Sequence, residues 1–144
     1  MITNNYKAIQ KAFCLIIITL GLSCSNQEPD RKHEQLIYFN SQFVMDMDEI
    51  FDLSEKEYQR LTDDINFYPE TDTIKYENDT IYISYLTYVN ACAKYSGNIE
   101  IKNDTLILKA KNILEEECAS GRIDRFIYKI YNLDNKEYTI VKYW

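Results

Sequence analysis

Residues 76–83 read YENDTIYI, and residues 101–108 read IKNDTLIL. Each string places Asn-Asp-Thr between alternating apolar residues, and an alternation of two is the period of a β-strand. Taking Asn78-Asp79 as a two-residue hairpin loop sets Tyr76 opposite Ile81 and Ile74 opposite Ile83, with Lys75 and Glu77 on the other face. The same reading of Asn103-Asp104 sets Ile101 opposite Leu106 and Ile99 opposite Leu108, with Glu100 and Lys102 outward. A slip of one residue would send a whole apolar set to the wrong face, so both registers are specified by the pattern itself. Asn tolerates the positive φ that such turns require. Two short echoes do not make a repeat architecture; they are one turn chemistry used twice.

Downstream, residues 126–132 and 137–143 flank LDNK and read as a third hairpin whose register the pattern leaves open. Three hairpins make six antiparallel strands, enough for an independent sheet. Upstream the period changes. Apolar residues at 36, 39, 43, 47 and 50 fall at helical spacing, with Ile37 and Val44 widening the stripe, although QLIYF also permits an extended reading. Ser54 with Glu57 three residues on is a capping box for a second helix. Leu53 and Tyr58 are placed for a hydrophobic staple, Tyr58, Leu61 and Ile65 share a face, and Pro69 lies beyond the end. The expected fold is α+β: one or two N-terminal helices packed on an antiparallel six-strand meander, either an open sheet or a partial barrel, over residues 34–144.

The chain has 144 residues, which bounds it to one domain. Its 13 Tyr and 6 Phe supply enough to bury that disorder throughout is excluded. With 3 Gly and 2 Pro it is neither collagen-like nor a linker. The formal charge of −7 argues against a nucleic-acid partner held by phosphate neutralisation. The acidity is local: residues 24–70 carry 4 basic and 12 acidic side chains, a balance of −8, and residues 71–144 carry 10 and 11, a balance of −1. Such a surface aids solubility, and it can also steer a basic partner towards it.

The first 30 residues read as an address outside the fold. Lys7 and Lys11 form a basic region, and residues 12–22 (AFCLIIITLGL) form an apolar run, Cys14 included, too short to span a bilayer as a helix. Ser23 and Cys24 follow, and the chain then turns polar. A small residue and a Cys directly after the apolar run resemble the lipobox of bacterial lipoproteins. The position three before the Cys, where Leu is usual, holds Gly21, with Leu20 and Leu22 on either side. The resemblance covers about the first 25 residues. It implies cleavage of a signal peptide over residues 1–23, acylation of Cys24, a tether over residues 24–33, and an envelope location, the outer membrane before the inner, with the membrane as a partner through the acyl chains. An ordinary signal cleaved nearby, giving an unlipidated secreted protein, is the alternative.

Within the mature chain, Cys92 and Cys118 bracket the second hairpin near its open end, where strands lie close, and export favours a disulfide there. Two buried thiols are the alternative. Two thiols and the single His33 cannot complete a four-ligand zinc site, and no cofactor is expected. Asp46, Asp48, Glu49 and Asp52 lack the alternation and the closing Glu of a calcium loop, and read as the wet face of a helix or an acidic partner surface. Glu115, Glu116 and Glu117 read as a charged surface. Tyr82 and Tyr88 share the strand face opposite Ile81 and Ile83, so they either meet the helices or serve a partner. Tyr143 and Trp144 at the C-terminus carry the same two readings, closing the core or forming a contact. Asp-Thr-apolar occurs at Asp72, Asp79 and Asp104, which fits a turn leading into a strand and also looks like an O-glycosylation signal of exported bacterial proteins. His33 lies beside the tether, poorly placed to act as a base. The expected role is therefore non-enzymatic: binding of a basic envelope or secreted protein, of the inhibitor or immunity type. The alternative is a carrier of a small apolar ligand in a sheet or barrel pocket.

Overall fold

Both Asn-Asp pairs turn the chain as their alternation requires. In the computed structural model, which describes residues 32–66, 72–114 and 118–143, Asn78 and Asn103 take φ of 50° and 54°, the left-handed region that hairpin loops need. β2 (Thr73–Glu77) pairs with β3 (Thr80–Asn90), setting Tyr76 opposite Ile81 and Ile74 opposite Ile83. β4 (Tyr95–Lys102) pairs with β5 (Thr105–Asn112), setting Ile101 opposite Leu106 and Ile99 opposite Leu108. Thr73, Thr80 and Thr105 each open a strand; Asp79 and Asp104 lie in the hairpin turns, and Asp72 directly precedes β2. The residues assigned to the signal, Cys24, the tether up to residue 31, Pro69, Glu115 to Glu117 and Trp144 lie outside the described residues.

The first expected helix is mostly a strand. β1 covers Leu36–Asp46, and only Met47–Phe51 is helical, as α1. Two register shifts against β6 (Gly121–Tyr131), one between Leu36 and Tyr38 and one between Phe43 and Met45, explain the misreading. Each β-bulge adds one residue and inverts the alternation beyond it. Leu36 and Phe39 therefore pack against the same core three residues apart, whereas Met45 turns to the opposite face and packs with the helices. Bulges of one residue within steps of two imitate a 3–4 spacing.

The third hairpin does not form. β6 ends at Tyr131, and the chain crosses to the other sheet, where β7 (Thr139–Tyr143) runs parallel to β5. Asn132, 2% exposed, holds the corner: its Nδ2 donates to the Lys136 carbonyl at 3.1 Å and its Oδ1 accepts from the Lys136 N–H at 3.1 Å. Lys136 then donates to the Asn103 carbonyl at 2.8 Å and pairs with Asp104, and the Thr139 N–H reaches the Asp104 carbonyl at 2.8 Å. The connection is thus fastened to the second hairpin's turn, which aims β7 along β5 instead of back along β6.

The six-strand meander is accordingly replaced, among the described residues, by seven strands in two sheets, ordered β1-β6-β3-β2 and β4-β5-β7, which do not close into a barrel. The main core lies between them: Ile81, Ile83, Tyr85 and Val89 from β3 and Phe126, Tyr128 and Ile130 from β6 meet Ile99, Leu106 and Leu108. Fully burying one such side chain contributes about 1.5–3 kcal/mol. Tyr128 Oη donates to the Lys109 carbonyl at 2.8 Å, tying the sheets together. Burial pushes the Tyr85 and Tyr128 phenols well above the ordinary tyrosine value. Outside the sandwich, Glu100 pairs with Lys102 and Lys109, as expected of an outward face.

α1 and α2 (Glu55–Asn66) pack on the other face of the four-stranded sheet, where Ile50, Leu86 and Ile123 form a second small core with Met45, Met47, Leu61 and Ile65. The expected cap of α2 is present: the Glu57 carboxylate accepts from the Ser54 N–H at 3.1 Å and the Glu57 N–H reaches Ser54 Oγ at 3.4 Å. The architecture is therefore α+β, two short helices on a β-sandwich.

Candidate binding groove

β3 is flanked unevenly. It pairs with β6 over its whole length, but β2 covers only Thr80 to Ser84. Beyond Ser84 the helix-side face of β3 presents Leu86 and Tyr88, and α1 and α2 approach it there. Leu86 is buried under them, and Tyr88 is 55% exposed. Its ring passes directly over Gly121, where any Cβ would overlap it, and its hydroxyl lies 3.5 Å from Met47 Sδ. Gly97 lies in the same way beneath Phe39 on the other side of the sandwich. With only three glycines in the chain, both of those in the fold sit under an aromatic ring.

Two cavities meet at Tyr88 and Ile65. One, about 260 Å³, lies under α2 and is lined by Ile50, Tyr58, Leu61, Ile65, Tyr88 and Ile123. The other, about 570 Å³, runs along residues 86–90 of β3 and is closed by Tyr95, Ala110, Lys142 and residues 118–121. Together they form an apolar groove between α2 and the uncovered half of β3.

Asn90 organises one end of it. Its Oδ1 accepts from the Cys92 N–H at 3.0 Å, its Nδ2 donates to the Cys118 carbonyl, and its own N–H donates to Tyr95 Oη at 3.2 Å. The Cys92 and Cys118 sulfurs are joined at 2.09 Å across a Cα separation of 5.7 Å, the expected disulfide. Arg122 leaves the same corner: its Nη1 donates to the Ala91 carbonyl at 2.9 Å, and its Nε and Nη2 grip the fully buried Asp124 at 2.8 and 3.0 Å. Ser41 Oγ donates to Asp124 Oδ2, the same oxygen that accepts from Arg122 Nη2.

The opposite end is ionic. Lys142 pairs with Asp72 and stands 4.6 Å over the Tyr85 ring. Burial pushes the Asp72 carboxyl above its ordinary value, the Lys142 ammonium opposes that, and the charges of Asp64 and Arg125 add smaller contributions of opposite sign. Asp64 is itself buried on α2, and Arg125 Nη1 donates to Ser84 Oγ at 3.2 Å.

The structure brings some of the expected partner residues together and separates others. Asp46, Asp48 and Glu49 flank Met47, whose sulfur meets Tyr88, but none of the three lines either cavity. Two of these acids also hold the backbone in place. Asp46 Oδ1 accepts from the Glu49 N–H at 2.9 Å and the Glu49 carboxylate from the Asp46 N–H at 3.0 Å, a capping box for α1. Tyr82 stands apart, further along β3 between Lys75 and Lys129, and lines neither cavity. Ile50 and Ile65 were legible as apolar helix-face residues, whereas Ile123, Asn90 and Gly121 were not distinguished by sequence pattern. The one local signal was the isolated Gly121 in a strand, the mark of close approach. His33 is attached to the fold: its N–H donates to Asn98 Oδ1 at 2.8 Å and its Nδ1 accepts from the Gln35 N–H at 3.2 Å. Among the described residues no group of three or more His, Cys, Asp or Glu is placed to hold a metal ion, and no helix is long and apolar enough to cross a membrane. The chain matches no protein-family profile, no curated protein and no solved structure.

Proposed function

We propose that the chain is a small lipid-anchored protein of the bacterial envelope that binds a basic protein partner, in the manner of an inhibitor or immunity protein, and performs no reaction of its own. The observation that carries the binding reading is the open apolar groove at Tyr88. Tyrosine suits interfaces because one end of the side chain is apolar and the other can be wet. Residues 46–64, which include the helices beside the groove, carry eight acidic and two basic side chains, so a cationic partner is favoured and an anionic one disfavoured. The anchor rests on the lipobox-like Ser23-Cys24, and the acyl chains it implies give stable attachment where a single chain would not.

Fatty-acid labelling of the wild-type protein and Cys24→Ser, followed by fractionation, tests the anchor: label must appear in the membrane fraction and vanish in the variant. Capture from envelope extract tests the partner. A basic protein should be recovered, its yield should fall with added salt, and Tyr88→Ser should lose it. Recovery that ignores both salt and Tyr88 refutes the reading. A second reading, a carrier of a small apolar ligand, is favoured by one observation: 570 Å³ is within the usual range for such pockets. It requires a hydrophobic molecule of fixed mass to co-purify and to be seen in native mass spectrometry.

A further inference from the structure

The helices cover only part of the four-stranded sheet. Leu86 on β3 and Ile123 on β6 face them. Alternate residues of a strand share a face, so Tyr82 on β3 and Lys129 on β6 lie on that same side, further along the sheet. Tyr82 stands opposite Lys129 across one ladder and opposite Lys75 across the other, and Lys129 stands opposite Tyr38. Residues directly opposite in an antiparallel pair project to the same face. The four side chains therefore form one row across all four strands, in the order Tyr38, Lys129, Tyr82, Lys75. Tyr131, two residues along β6 from Lys129, flanks the row on the same face.

These side chains meet solvent. Tyr38 is 49% and Tyr131 47% exposed, Lys75 and Lys129 are exposed, and Tyr82 is half-buried. Among the described residues neither lysine has an ion-pair partner or stands over a ring, whereas Lys102, Lys109, Lys136 and Lys142 all do one or the other. The chain enters β2 from the helix end of the sheet, at Thr73 opposite Ser84, with Asp72 held by Lys142. It enters β1 from beside the other sheet, where the His33 N–H donates to Asn98 Oδ1 on β4. Among the described strand residues, alternation puts one carboxylate on this face, Glu77, against Lys75, Lys129 and the Arg125 that bonds Ser84. In a chain of net negative charge, this face is locally cationic.

We infer that this row binds a linear glycan that carries one carboxylate for every two sugars, its carboxylates on Lys129 and Lys75 and the C–H faces of its sugars on Tyr38 and Tyr82. Neighbouring strands lie about 4.8 Å apart, so lysine repeats after lysine, and tyrosine after tyrosine, at about 10 Å. Two pyranose rings joined through an oxygen span a similar length, and the C–H side of such a ring is apolar and packs on an aromatic one. An extended acidic peptide is out of step, because its same-side residues recur every 7 Å or so. A flat bilayer is kept off by α1 and α2, which stand on the same face and are about 10–12 Å across, whereas a single strand of sugars passes beside them. The acidic side chains of the helices do not prevent this. Leu86, beneath the helices, is four residues from Tyr82, about 13 Å, which exceeds the screening length of about 8 Å at physiological salt. The inference is independent of the groove at Tyr88 and of the basic partner proposed for it.

The test titrates the full mature chain, made as Cys24→Ser so that it is free of lipid, with a hexasaccharide of alternating N-acetylglucosamine and glucuronate. A neutral hexasaccharide of N-acetylglucosamine and a short polyglutamate are the comparisons. The carboxylated glycan should bind more tightly than about 1 mM, and added salt should weaken it. Lys75→Gln and Lys129→Gln should each weaken it about fivefold, and together about 25-fold, since the two sites are far enough apart to act independently. Tyr38→Ser should weaken the carboxylated and the neutral glycan alike, by about two- to tenfold. All these positions are at the surface, and unchanged urea midpoints should show that the variants fold. Equal affinity for the two glycans overturns the inference, as does polyglutamate binding as tightly as the carboxylated glycan. Absence of binding overturns it too, and so does binding that the two lysine variants leave intact. Sedimentation of the same chain with phosphatidylglycerol vesicles, lost in both lysine variants, would assign the row to a membrane surface and overturn the glycan.

Discussion

Replacing Cys92 and Cys118 together by Ser releases a closed loop of about 27 residues, whose entropy in the unfolded chain is near −2.1 − 1.5R ln n, or about −12 cal/mol/K. At 25 °C that is about 3.5 kcal/mol. The native state itself should suffer little. Asn90 keeps its bonds to the Cys92 N–H and the Cys118 carbonyl, which involve the backbone and survive the substitution. Nearly all of the loss should therefore come from the unfolded chain. Against a total stability of about 5–15 kcal/mol, that is a quarter or more of the whole. Spread over a fold of roughly 113 residues with an unfolding entropy near 2.1 cal/mol/K per residue, it lowers Tm by about 15 °C. Urea melts of the oxidised protein, the reduced protein and the double-Ser variant check this. The reduced protein and the variant should coincide, both far below the oxidised form. A loss under about 1 kcal/mol would show that the loop is already constrained in the unfolded chain, and the loop-entropy argument would fail.

Three further outcomes follow from single contacts. Asp124→Ala leaves Arg122 half-buried without its carboxylate and should cost about 3–5 kcal/mol in a denaturant melt, far more than a surface substitution. Gly121→Ala forces the Tyr88 ring out of its position and should cost about 1–3 kcal/mol; adding Tyr88→Ser should remove most of that penalty, and a double-mutant cycle with no coupling would refute the contact. Glu100, partly exposed, is held down to about 2 by its bond to Lys102 and then by Lys109. Because the folded value lies below the unfolded one, its contribution is complete above about pH 4.5 and is lost as pH falls through about 2. Urea midpoints from pH 5 to pH 2 should thus decline less in Glu100→Gln than in the wild type, with the difference shrinking in high salt.

The two hairpins were legible because everything that specifies them is local. Alternation picks the faces, Asn supplies the positive φ, and the loop is two residues long, so Tyr76–Ile81 and Ile101–Leu106 follow from counting. The cap of α2 was legible for the same reason, since Ser54 and Glu57 are three residues apart. β1 was not. Its side chains face two different cores, and the bulges that reverse its alternation are set by pairing with β6, more than seventy residues away. A periodicity argument assumes that one face stays one face. Where a strand changes sides, spacings of three and four arise without a helix, and only the QLIYF segment hinted at extension.

β7 shows a different limit, and the groove inherits it. Residues 137–143 alternate correctly for a strand, yet alternation says nothing about which neighbour a strand will find. The choice is made by Asn132 and Lys136, which bind the connection to the turn of the second hairpin and send the chain to the other sheet. With β7 set against β5 instead of β6, each sheet has one short outer strand, β2 in one and β7 in the other. Their ends fall on the same side, and the open stretch of β3 results. The groove is therefore a consequence of unequal strand lengths and not of any motif, which is why Tyr88 could be suspected from its position on a strand face but the backbone edge beside it could not.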